Sequence, residues 1–233
     1  MAAPEQISPG VYRVDAIRLR NLISVLLIED EGGLTLVDTG IGSSVPRIKD
    51  ALASLGSGPG DLEQIFLTHQ HDDHTGGLSG LVEWAPNARV VASEPEAGVI
   101  SGRRGFDPSS NPIVRRLVRY AKPPGVPVSD VVGEGDLVAG FRVIPTPGHT
   151  VGHVSLLRDE DGLLFTADTF GCLPRRLRVG VRKAFCTDPP EAKRSASRLL
   201  EEDFETAVLS HGKPLKTGAK ELLRAAVDRC DYA

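Results

Sequence analysis

Short apolar runs alternate along the chain with Gly-, Pro- and Asp-rich breaks, the rhythm of short strands and amphipathic helices. Val11 to Val14 and Leu22 to Glu29 read as strands. The turn Asp30-Glu31-Gly32-Gly33 leads into Leu34-Thr35-Leu36-Val37-Asp38, which predicts a hairpin. Val45, Ile48, Leu52 and Leu55 then recur at helical spacing, with Ser43 or Ser44 as cap and Pro46 in the first turn. Gln64 to Leu67 predicts a buried strand, Leu78 to Trp84 a short helix and Ala88 to Ala92 another strand.

From Glu94 to about Asp130 the periodicity fades, apart from one helix predicted over Pro112 to Tyr120. This stretch reads as an insertion, a lid or substrate loop on a single domain spanning 1–233. Pattern returns with Leu137 to Ala139 and Phe141 to Pro145. A hairpin of Val154 to Leu157 and Leu163 to Ala167 follows and ends on Asp168. Thr169 to Asp188 reads as a loop, Pro189 to Glu202 as a helix capped by Asp188, Ala207 to Ser210 as a strand, and Thr217 to Arg229 as a final helix. Strands and helices in two runs suggest one αβ unit used twice.

Bulk composition narrows the classes. At 233 residues, 40% hydrophobic and 25% charged, the chain suits a globular domain with a full core. A net charge of −4 gives no general case for nucleic acid or membrane binding. No apolar run approaches a membrane span, and the first residues lack signal-peptide features. The three cysteines, Cys172, Cys186 and Cys230, are widely spaced and odd in number, which suits reduced thiols and a cytoplasmic location.

The candidate chemistry sits in histidines. Of six, three fall in Thr68-His69-Gln70-His71-Asp72-Asp73-His74-Thr75-Gly76-Gly77, directly after a predicted strand. His149 and His211 also follow strands, as does Asp168, so the loops carrying them are expected to converge on one sheet edge. Neutral imidazole with carboxylate suits a borderline divalent ion such as zinc. Seven such groups are too many for one tetrahedral ion and suit two ions sharing a bridging carboxylate.

The order His69-x-His71-x-Asp73-His74, His149, Asp168, His211 resembles the metallo-β-lactamase superfamily, as do Leu36-Val37-Asp38-Thr39-Gly40 and Pro147-Gly148-His149-Thr150. The resemblance implies an α/β fold, a four-layer αβ/βα sandwich. It implies a first metal on His69, His71 and His149, a second on Asp73, His74 and His211, and Asp168 bridging both. It suggests that Asp38 buttresses the histidine loop, although Asp38 also suits a helix cap. His153 reads equally as a hydrogen-bonding neighbour of His149 and as an ordinary structural histidine. Cys172 and Cys186 read as plain thiols.

A pair of ions holding a bridging water, lowered in pKa, implies metal-assisted hydrolysis with Asp73 orienting the nucleophile and shuttling its proton. The expectation is a dinuclear zinc hydrolase, with iron or manganese as alternative metals, acting on a small anionic ester, thioester or lactone. Members that cleave β-lactams typically carry Cys or Ser where this chain has Asp168, which argues against antibiotic hydrolysis. Asp168 with His211 is similar instead to glyoxalase II-like enzymes. A phosphodiesterase or nuclease, a mononuclear iron persulfide dioxygenase and a non-catalytic binding module are the rival readings.

Arg103, Arg104, Arg115, Arg116, Arg119 and Lys122 in the insertion give a local positive excess. Arg175, Arg176, Arg178, Arg182 and Lys183 give another after Asp168. They read equally as solvated faces and as contacts for an anionic substrate, with Tyr120, Arg175 and Arg176 the candidate substrate residues. Few aromatics accompany them, which argues against nucleic acid. No membrane partner is expected, and a homodimer is left open.

Overall fold

The computed structural model describes residues 4–118, 120–173 and 176–232. Two compact units emerge. One holds the chain up to Arg104 with Pro123–Val132 and Val138–Gly140; the other holds Gly105–Lys122, Gly133–Leu137 and the chain from Phe141 onward.

The first unit is built on a seven-stranded mixed sheet. Its strands lie in sequence order: β1 (Glu5–Ser8), β2 (Val11–Asp15), β3 (Ser24–Asp30), β4 (Gly33–Val37), β5 (Leu62–Leu67), β6 (Arg89–Ser93) and β7 (Asp130–Val132). Neighbours are antiparallel up to β4 and parallel from β4 to β7. The run Val25-Leu26-Leu27-Ile28 in β3 is almost wholly buried on both faces. A strand covered on both sides reads as continuous apolar sequence rather than an alternating one. Alternate positions Val25, Leu27, Leu36, Ile65, Leu67 and Val90 share a core with Ile48, Leu52, Leu78 and Leu81. Those last four come from α1 (Val45–Ser54), between β4 and β5, and α3 (Leu78–Trp84), which follows β5 and the single turn α2 (Asp72–Thr75). Ser44 does sit at the cap position of α1, but its hydroxyl accepts from Ile41 N rather than from the helix.

The stretch 94–130 departs from the expected irregularity. Glu94–Ile100 is a helix, α4, with Ala97, Val99 and Ile100 buried, and β7 adds an edge strand to the sheet. Pro95 and Gly98 hid this helix from the periodicity, yet Pro in a first turn is compatible with one.

The second sheet, which follows α5 (Pro112–Val118) of the second unit, has the order β14–β11–β10–β9–β8. Its strands are β8 (Leu137–Val138), β9 (Phe141–Pro145), β10 (Val154–Arg158), β11 (Leu163–Phe165) and β14 (Thr206–Val208). β9, β10 and β11 are antiparallel, and β14 joins β11 in parallel. The expected loop after Asp168 contains a two-stranded ribbon, β12 (Phe170–Cys172) with β13 (Leu177–Val179). Three-residue strands carry too few alternating positions to stand out in sequence. Helices α6 (Pro189–Leu199) and α7 (Ala219–Asp228) share a core with Leu157, Leu164, Phe170 and Phe204. Asp188 caps α6 as predicted, accepting from Glu191 N at 3.0 Å.

Both units thus use the same sequence of parts: an antiparallel hairpin, a helix, then a strand parallel to the second hairpin strand. Phe165 is fully buried in β11. Phe165→Ala is expected to cost about 3–5 kcal/mol, seen as a lower urea midpoint with an unchanged slope.

Candidate metal centre

In the first unit the chain leaves β4 through Asp38, which adopts a left-handed φ of 63° and is fully buried. This costly conformation for a non-glycine residue turns the carboxylate onto the loop after β5. Asp38 Oδ1 accepts from Thr68 N at 2.9 Å, and Asp38 Oδ2 accepts from the Thr68 hydroxyl at 2.9 Å and from His74 Nδ1 at 2.7 Å.

These bonds set the protons on two imidazoles. With Nδ1–H of His74 given to Asp38, its Nε2 is left with a lone pair. The Thr68 hydroxyl spends its only proton on Asp38, so at 3.1 Å it accepts from His69 Nδ1. His69 then also presents an Nε2 lone pair. That atom lies 3.2 Å from His71 Nδ1, a separation at which two ring nitrogens share a proton or a cation. Asp73 Oδ1 is 4.0 Å from His74 Nε2. The donor atoms of His69 and His71, and those of Asp73 and His74, are each within 4.8 Å of one another.

The loop is held tightly against its own unit. The carbonyl of His74 accepts from both the amide and the hydroxyl of Thr39, each at 2.7 Å. Gly76 and Gly77 form the turn between α2 and α3, and both take ordinary right-handed helical angles. What they supply is space: a Cβ on Gly77 would sit 2.4 Å from Thr39 O, and one on Gly76 2.5 Å from Asp72 O.

The second unit holds the other donors. Asp168 follows β11 by a short turn in which Ala167 is left-handed (φ 43°), matching Asp38 after β4. Its carboxylate reaches two imidazoles at once: Oδ2 is 3.2 Å from His149 Nε2 and Oδ1 is 3.3 Å from His211 Nε2. All three side chains are buried, where a carboxylate needs hydrogen-bonding or cationic partners.

His153 is buried and has a positioning job. The amide of Asp168 donates to His153 Nε2 at 3.1 Å, so His153 carries its proton on Nδ1, 2.8 Å from Thr146 Oγ1. The His149 loop is pinned as well. Thr187 N donates to His149 O, Asp188 N to Gly148 O, and Ser195 Oγ to Pro147 O. Gly148 has φ +120°, and a Cβ there would lie 2.1 Å from Ala192 N at the start of α6.

Several participants carried no sequence signal. Asp107 accepts from Val151 N at 2.9 Å and so braces the His149 loop. Thr39, Thr68 and Thr146 act only through hydrogen bonds that the fold brings about. Cys186 was read as an inert thiol, and it is buried with Sγ 3.8 Å from His149 Nδ1. Burial, with the Asp168 charge adding to it, pushes this thiol up to about 12, so it stays protonated at neutral pH.

Tyr120 lies just after α5 and is 77% exposed. Arg176 lines a cavity of about 270 Å³ with Arg178, Arg229, Cys230 and Tyr232, whose lining includes none of the seven donors. Arg119 and Arg175 lie outside the described residues.

A family model for the metallo-beta-lactamase superfamily matches residues 19–212. The chain belongs to this superfamily. It has the metallo-beta-lactamase fold and is a metallo-hydrolase of that group, with His and Asp donors of the metal-binding type. The Bacillus subtilis protein YobT, itself uncharacterised, is 30% identical over 219 residues, 87% of this chain and 88% of its own. The hydroxyacylglutathione hydrolase of Rhodopseudomonas palustris is 37% identical over 140 residues, 58% of this chain and 46% of that one. The chain spans about half the length of the hydroxyacylglutathione hydrolases it matches. Among solved structures, a metallo-beta-lactamase from Cronobacter sakazakii altered in its HARLDQ motif aligns with a TM-score of 0.68 at 26% identity, covering 91% of this chain and 81% of that one. A metallo-beta-lactamase family protein from Thermus thermophilus aligns with a TM-score of 0.64 at 25% identity, covering 96% and 78%. No helix among the described residues is long and apolar enough to cross a membrane.

His153→Ala would leave the Asp168 amide and the Thr146 hydroxyl short of a partner in a buried site. It is expected to cost about 1–3 kcal/mol, read as a lower melting temperature, with His153→Gln recovering part of the loss through its carbonyl oxygen.

Proposed function

We propose that this chain is a dinuclear zinc hydrolase of a small anionic ester, thioester or lactone, with a thioester the favoured bond. His69, His71 and His149 would hold one ion, Asp73, His74 and His211 the other, and Asp168 would bridge them. The observation that carries the reading is the Asp168 carboxylate, with one oxygen toward His149 and the other toward His211. A carboxylate whose two oxygens face two different imidazoles is oriented to serve two ions. The tautomers argued for His69 and His74 add two nitrogens with lone pairs, as divalent metals require. The thioester preference is supported by the likeness to hydroxyacylglutathione hydrolases.

Two bound ions would supply Lewis acidity and a water acidic enough to react at neutral pH. The chain's own residues do the rest. Asp38 and Thr68 hold His69 and His74 in the right tautomer, and His153 fixes Asp168 through its amide. Asp73 is partly exposed, with 35% of its side chain accessible, and would orient the attacking water, take its proton and release it to solvent. No Ser, Cys or Lys nucleophile is needed, and Cys186 as a protonated thiol stays out of the chemistry.

Metal analysis of protein purified without added metal should give about two zinc per chain, with hydrolysis of an acyl-glutathione thioester ahead of phosphodiesters. His211→Ala should lose one metal and hydrolysis together. One iron per chain, unchanged by that substitution, with oxygen uptake on a persulfide, would overturn the proposal, as would preferred turnover of bis(p-nitrophenyl) phosphate. Asp38→Asn should weaken metal binding about 10–100-fold, because an amide NH2 facing His74 Nδ1 forces the proton to Nε2.

A further inference from the structure

α5 contributes nothing to the core of its unit. None of its residues is buried, and Ile113 is 70% exposed, Leu117 75% and Val118 38%, with Tyr120 just beyond at 77%. Helical spacing puts Ile113, Val114, Leu117 and Val118 on one side and Arg115 and Arg116 on the other. An apolar face left in water is a standing cost unless something covers it. Charge says what kind of surface that is. The 22 residues from Pro108 to Ser129 include four basic side chains and no acidic one, in a chain whose net charge is −4. The positive excess is therefore local to the exposed apolar face.

We propose that α5 docks the protein on an anionic lipid surface, lying in the plane of the interface. Ile113, Leu117 and Val118 enter the acyl boundary, Arg115, Arg116 and Lys122 meet the headgroup phosphates, and Tyr120 sits at headgroup level. The contact is peripheral and reversible, since a helix this short buries little apolar area, and it is sensitive to salt.

The test is flotation of the full-length, metal-loaded protein with vesicles of phosphatidylcholine alone or with one third phosphatidylglycerol. Binding is expected only to the anionic vesicles, to fall as salt is raised, and to be abolished in an Ile113→Asp, Leu117→Asp double variant. Arg115→Gln with Arg116→Gln should weaken it about 25-fold. Both pairs lie on an exposed helix, so unchanged melting temperatures and hydrolysis of soluble substrate separate lost docking from lost folding or lost chemistry. No binding to anionic vesicles, equal binding to neutral ones, or full binding by the double Asp variant would overturn the proposal. So would a concentration-dependent dimer, by light scattering, that Leu117→Asp dissolves, since a second copy would then own this face.

Discussion

The buried carboxylate of Asp38 is the constraint from which the histidine loop takes its order. It is forced into a left-handed conformation, and its two oxygens satisfy one backbone amide, one hydroxyl and one imidazole. Because a hydroxyl has one proton to give and a neutral imidazole one N–H, those bonds propagate. Thr68 must accept from His69, and His74 must donate. Two imidazoles of a three-histidine loop thereby acquire defined lone pairs without a metal contact. A site built this way is ordered by the protein before any ion binds, which lowers the reorganisation that binding would otherwise require.

The second unit reaches the same end with different residues. Its hairpin also ends in a left-handed turn, at Ala167, and the following Asp168 is itself the group presented to two histidines. There the supporting role falls to His153, which accepts from the Asp168 amide and donates its Nδ1–H to Thr146 Oγ1. The shared plan of hairpin, helix and parallel strand puts an acid after the second hairpin strand in both units and histidine after the parallel strand, His69 to His74 after β5 and His211 after β14, whereas His149 follows the antiparallel strand β9. Strand ends suit this because the sheet holds the backbone rigidly up to the last paired residue, while the loop beyond is free to aim side chains.

Glycine in these loops works by two separate physical routes. Gly148 combines a positive φ with contact against the first turn of α6, so a side chain is excluded twice. Gly76 and Gly77 have unexceptional backbone angles and are required only because Thr39 and Asp72 carbonyls press on them. The two cases look alike in sequence, as glycines beside histidines, and only packing tells them apart.

Long apolar runs, a capped helix at Asp188 and the hairpins at Gly32-Gly33 and Gly162 were legible from the chain alone, because period and turn chemistry are local properties. The seven candidate donors were legible for a related reason: His and Asp crowded at strand ends are costly to carry without a use. The helix Glu94–Ile100 and the ribbon β12–β13 were not legible, being too short or too interrupted for a period to register. Nor were Thr68, Asp107 and Cys186, whose roles arise from hydrogen bonds and contacts between residues 30 to 44 positions apart. Sequence determined which residues could bind metal and which segments had regular structure. Tertiary structure alone decided which nitrogen of each imidazole carries its proton, because that depends on a partner delivered from another strand.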